Sequence, residues 1–114
     1  MIAHVVLFRP PAALSLADTE ALLDAMRVAF TSIPEIRRVR IGRRSLIGRG
    51  YENQMSEHYA YAAVLEFDSE AALRVYLDHP AHIDLGRRFF QSAEAALVYD
   101  FEIVEPDRVR DLLA

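Results

Sequence analysis

The residues best suited to chemistry stand in one short segment, Tyr76-Leu77-Asp78-His79-Pro80-Ala81-His82. It joins two rings capable of proton transfer to a helix boundary that aims them. Proline disfavours the α conformation at the residue before it and suits the first position of a helix. One helix is therefore expected to end near Asp78 and another to begin at Pro80, with His79 as the N-cap and His82 third in the helix. Counting on from His82, helical spacing picks out Leu85, Gly86, Phe89, Phe90 and Ala93, an apolar stripe headed by a histidine, so His82 should point inward. Leu73 and Ala72 stand three and four residues before Tyr76, which places the phenol on an apolar face as well.

A histidine in the first turn of a helix feels the positive end of the macrodipole, which favours a neutral imidazole able to accept a proton near pH 7. That is the chemistry of a general base, with Tyr76 either orienting it or holding a substrate oxygen. The plainer alternative is a core histidine satisfied by a neighbour. Asp78, His79 and His82 also offer themselves as metal ligands. The two histidines need not converge, no HxxxH or HExxH pattern supports them, and there is no cysteine, so neither a metal nor any other cofactor is expected.

Elements that position these side chains follow from periodicity. Ile2 to Phe8 is an apolar, β-branched run closed by Pro10-Pro11, hence a first strand. His4, Val6 and Phe8 share one of its faces and Ala3, Val5 and Leu7 the other, so both faces are expected to be buried. Leu22, Leu23, Met26, Ala29, Phe30 and Ile33 mark an amphipathic helix of about four turns, capped by Ser15 or Asp18 and ending before Pro34. A second strand is predicted from Ile36 to Ser45, followed by a polar, mobile loop through Gly48, Gly50 and Asn53 to His58. Tyr59 to Phe67 reads as a third strand, Ser69 caps the helix carrying Tyr76, the His82 helix follows, and Leu97 to Val104 forms the last strand. The order β-α-β-β-α-β predicts an α+β, ferredoxin-like protomer with a four-stranded antiparallel sheet covered by helices on one face. Its uncovered apolar face should be closed by a second copy about a two-fold axis, giving a homodimer.

The chain has 114 residues and 53% hydrophobic content, which suits one domain, taken as residues 1–104 with a tail or short helix over 105–114. The absence of cysteine removes disulfides and thiol catalysis and favours an intracellular setting. No basic, apolar leader opens the sequence and no run of about eighteen apolar residues occurs, so a soluble, cytoplasmic protein without a membrane partner is expected. A formal charge of −4 argues against a nucleic-acid partner. Arg37, Arg38, Arg40, Arg43, Arg44 and Arg49 do cluster, but Arg38 and Arg40 alternate with Val39 and Ile41 as in an ordinary half-exposed strand.

Several of these stretches together resemble the stress-responsive A/B barrel domain family of dimeric α+β barrels: His4-Val5-Val6-Leu7-Phe8, Ile33-Pro34-Glu35-Ile36, the aromatic third strand ending Glu66-Phe67, and the Tyr-x-x-His-Pro-x-His segment. The likeness runs to about Val104. One member of that family is a cofactor-independent polyketide cyclase that catalyses an aldol condensation. The resemblance implies a catalytic His82 assisted by Tyr76, with His4 as a pocket histidine on the first strand, and Tyr61 standing where that enzyme has another pocket histidine. A small-molecule site lined by His4, Val6, Phe8, Tyr61 and Phe89 around His82 and Tyr76 is expected. Cyclase-like or lyase-like acid–base chemistry leads. A non-catalytic stress-associated binding module and a cofactor-free monooxygenase of the related barrels are the alternatives.

Overall fold

A computed structural model describes residues 1–92 and 94–114. Along the chain run β1 (Ile2–Arg9), α1 (Leu16–Ser32), β2 (Arg38–Arg43), α2 (Gly50–Gln54), β3 (Tyr61–Phe67), α3 (Glu70–Asp78), α4 (Pro80–Ser92), β4 (Ala95–Glu102) and a terminal 3-10 helix (Pro106–Leu113). The four strands form one sheet in the order β2-β3-β1-β4, every neighbour antiparallel. This is the ferredoxin-like α+β arrangement that the order of elements predicts.

Because β1 is central, its alternation decides what each face of the sheet carries. His4 stands opposite Leu65 and Asp100, Val6 opposite Ala63 and Val98, and Phe8 opposite Tyr61 and Ala96. Directly opposed residues share a face, here the one beneath the helices. Leu22, Ala25, Met26 and Ala29 recur at helical spacing along α1 and pack there with Leu65, Phe67, Leu73, Tyr76 and Leu85. The other face carries Ala3, Val5 and Leu7 with Ala62, Val64, Leu97, Tyr99 and Phe101. The expectation that β1 is buried on both sides holds only for Ala3 on that second face. Val5 and Leu7 are partly covered, because α1, α3 and α4 pack on the opposite side.

Helix boundaries follow local chemistry. Ser15, not Asp18, caps α1, its Oγ accepting the Asp18 N–H at 3.1 Å, and Ser69 caps α3 in the same way through Ala72. Pro80 does divide α3 from α4. The His79 imidazole accepts the Ala81 N–H at 3.0 Å, as an N-cap should.

Strand ends shift by a few residues for an equally local reason. The last strand begins at Ala95, opposite Arg9, and stops at Glu102, opposite Ile2. One further bond, Ile103 N–H to the Met1 carbonyl, exhausts β1, so Val104 has no partner there. The second strand is Arg38–Arg43 rather than 36–45, with single backbone bonds from Arg37 to Glu66 and from Arg44 to Ala60 continuing past its two ends.

The predicted polar loop is partly helical. Gly48 turns the backbone at φ 82, a left-handed value that suits glycine. The Glu52 carboxylate then accepts the N–H groups of Ile47, Gly48 and Arg49 and nucleates α2. Arg9 ties down the far end of this segment, donating to Glu94, Glu57 and the His58 carbonyl. Phe90 is also corrected: it is 83% exposed. Leu85 and Phe89 lie four residues apart and take the inward line of α4, leaving Phe90 about 100° further round the helix. Ala93, the last residue of the predicted stripe, lies outside the described residues.

Candidate functional site

His82 occupies the first turn of α4, half-buried, where the chain has just left the C-terminus of α3. The last carbonyls of a helix lack partners of their own. One of them, at Leu77, lies 2.9 Å from His82 Nδ1. A carbonyl oxygen can only accept, so Nδ1 carries the proton and Nε2 keeps the lone pair. Burial holds the His82 pKa below its ordinary value, His4 nearby adds to the lowering, and the Leu77 bond and Asp78 only partly oppose it. The result is a neutral imidazole with a free Nε2.

Tyr76 is 2% exposed and packs its ring against His82 at 4.5 Å between centroids, against Phe67 at 5.1 Å and against His4 at 5.9 Å. Burial raises the pKa of its phenol, which therefore stays a neutral donor. Were Tyr76 to orient His82 it would do so by a hydrogen bond, and none is formed: the two rings pack tilted at 54°, and His82 Nδ1 is taken by the backbone of α3.

His4, buried at 5% exposure, sets its Nδ1 2.6 Å from the Asp100 carboxylate. A carboxylate accepts, so here too Nδ1 is the protonated nitrogen and Nε2 is left over. Nothing in the local sequence points to Asp100. The two residues are 96 positions apart, and only the β1–β4 register sets them side by side.

These side chains border a cavity of about 170 Å³ between the sheet and the helices. Of the residues singled out in the sequence, His4, Val6, Phe8, Tyr76, His82 and Phe89 line it, together with Met26, Phe30, Leu65 and Leu85, and the exposed Phe90 at its edge. Tyr61 does not line it. Opposite Phe8 at the end of the sheet, its ring stacks on that phenylalanine at 5.5 Å and faces a separate surface hollow near Arg43 and Met55. The grouping of Asp78, His79 and His82 does not converge either. His79 is engaged as a cap and His82 with Leu77, and among the described residues no three His, Cys, Asp or Glu side chains cluster as metal ligands would.

The model of the Stress Responsive A/B Barrel Domain matches residues 2–103. The chain belongs to that family. Among solved structures, a dimeric ferredoxin-like protein of unknown function from Jannaschia sp. CCS1 is 27% identical, with 90% of this chain and 98% of that one covered and a TM-score of 0.69. The hydroxynitrile lyase of Passiflora edulis shares 18% identity over 91% of this chain and 94% of its own, with a TM-score of 0.75. SnoaB, a cofactor-independent oxygenase from Streptomyces nogalater, shares 14% over 91% and 93%, with a TM-score of 0.66. At these identities the two enzymes demonstrate a common fold and not a common reaction. A comparison with curated proteins found no match. Among the described residues no helix is long and apolar enough to cross a membrane.

Proposed function

We propose that this A/B barrel protein catalyses cofactor-independent acid–base chemistry of the cyclase or lyase kind on a small carbonyl compound. The observation that carries the reading is the hydrogen bond from His82 Nδ1 to the Leu77 carbonyl, which leaves the basic nitrogen free inside an apolar cavity beside a neutral phenol. In the proposed step His82 Nε2 removes the proton from the carbon next to the carbonyl. The electron pair of the broken C–H bond moves onto the carbonyl oxygen, and the Tyr76 hydroxyl donates a hydrogen bond to the resulting enolate. His4, held by Asp100, faces the same cavity as a second polar contact for the substrate oxygen. The carbanion equivalent then attacks a second carbonyl, as in an aldol closure, the new alkoxide oxygen taking the proton from His82, or it takes that proton back itself. Electrons balance without an oxidant or a metal.

The biological unit in this reading is a homodimer closed through the uncovered sheet face, where Tyr99 and Phe101 are 55% and 51% exposed and pack on each other at 6.2 Å.

The reading is tested by incubating the protein in D2O with a panel of enolisable ketones and aldehydes and following loss of the α-proton signal by NMR. Exchange that exceeds the buffer rate and scales with protein concentration is expected for at least one compound. A whole panel exchanging no faster than in buffer would sink the proposal and leave the pocket a binding module.

A further inference from the structure

The cavity's size and charge narrow the class of substrate, in an inference that rests on the carbonyl reading above. Its volume, about 170 Å³, is small. Sites for drug-sized ligands run to roughly 300–1,000 Å³, whereas a dry apolar cavity of about 150 Å³ accepts one benzene ring. Its walls are ring faces and alkyl chains: Phe8 and Phe89 meet edge to face at 5.3 Å between centroids on one side, and Met26, Phe30 and Leu85 supply the rest. Such walls fit a flat apolar body, and a second fused ring would have to reach out through the open mouth beside the exposed Phe90 and Val98.

Charge gives an independent constraint. Among the described residues no arginine borders the cavity, although the protein has thirteen basic residues. Arg38 and Arg40, in particular, stand with Glu66 and Val64 on the sheet face away from the helices. The carboxylates near the polar end, Asp100 bonded to His4 and Asp78 close enough to act on the charge of His82, would repel an anion. A carboxylate or phosphate entering the cavity would be stripped of water without a cation to meet it. The polar groups that do face inward, two imidazoles and one phenol, suit a single neutral oxygen.

We propose that the substrate is an uncharged carbonyl compound whose apolar body is no larger than one six-membered ring, with its carbonyl placed at His4, Tyr76 and His82. Fused-ring and anionic carbonyl compounds should bind more weakly.

The test uses four ketones with the full-length protein: acetophenone, 2-acetylnaphthalene, 4-nitroacetophenone and its anionic isostere 4-acetylbenzoate. Affinity is read from amide shifts of the α4 residues, and α-deuteration in D2O is followed on the same samples. Acetophenone should bind and exchange, 2-acetylnaphthalene should bind at least tenfold more weakly, and 4-acetylbenzoate at least tenfold more weakly than 4-nitroacetophenone. Phe89→Ala, or Phe89→Leu should the alanine variant not fold, should recover binding of the naphthyl ketone by widening the cavity. Absence of acetophenone binding, or equal or tighter binding of the bicyclic or the anionic ketone, overturns the assignment. Failure of the underlying reading looks different. Acetophenone would then bind with the expected selectivity yet show no exchange above buffer, whereas exchange confined to the bicyclic or anionic ketone would defeat the substrate class alone.

Discussion

At the residue scale the site is a set of proton positions fixed by neighbours that can only accept. Leu77 O settles the proton on His82 Nδ1 and Asp100 settles it on His4 Nδ1, so each ring keeps Nε2 free. The pH dependence follows from the direction of the His82 shift. Its folded pKa lies below the ordinary value of 6.5, chiefly through burial. Neutral His82, the working base, therefore persists as pH falls through 6.5, and the acid limb of any exchange reaction should lie below that value. Stability moves with the same sign. Above pH 6.5 the histidine is neutral in both states and adds no pH dependence. As pH falls below 6.5 the unfolded chain binds the proton first and the folded state loses ground. A pH–rate profile of α-deuteration checks the first statement, and an acid limb centred above 6.5 would contradict it.

The element scale shows what could be read in the sequence and what could not. Pro80 and His79 announce the α3–α4 break because the residue before a proline is driven out of the helical region whatever its surroundings, and the structure has the break there. The short helix α2 could not be read in this way. Glu52 stands among polar loop residues three positions past Arg49, and only the turn at Gly48 brings the Ile47, Gly48 and Arg49 amides onto its carboxylate. Tertiary register hid the rest: Asp100 reaches His4 across 96 positions, and Tyr61 falls beyond the cavity because it opposes Phe8 at the sheet's end. Phe90 misled because the spacing of an apolar stripe says which residues are candidates for burial, not how wide a strip the neighbours cover. Glu52→Ala should release α2 by leaving those three amides without an acceptor. Hydrogen exchange at Ile47, Gly48 and Arg49 should then accelerate while amides of β1 and α4 stay protected. Unchanged protection at all three would show that the helix does not depend on the carboxylate.

For the whole molecule, the sheet separates two tasks. The helix side holds the cavity, and the opposite side presents Val64, Tyr99 and Phe101 at 39%, 55% and 51% exposure beside Val5 and Leu7. A contiguous apolar face of this kind is characteristic of an interface in a soluble protein. Light scattering should return twice the 12.9 kDa chain mass, and Phe101→Asp, which buries a charge in that interface, should shift the protein toward monomer. A wild-type protein that stays monomeric at micromolar concentration would contradict the proposed dimer.

The claim on which the functional account turns is that His82 acts as a base and not only as a partner for Leu77. It is tested most directly by measuring α-deuteration and unfolding free energy together on His82→Ala and Tyr76→Phe. The expected result is a loss of exchange of at least ~100-fold in His82→Ala. Its stability cost should be only about 1 kcal/mol, for one half-buried hydrogen bond. Tyr76→Phe keeps the ring packing and should lower exchange by a smaller factor. Exchange unchanged in His82→Ala, with the loss appearing only as a lower melting temperature, would contradict the account and make the histidine a structural cap on α3.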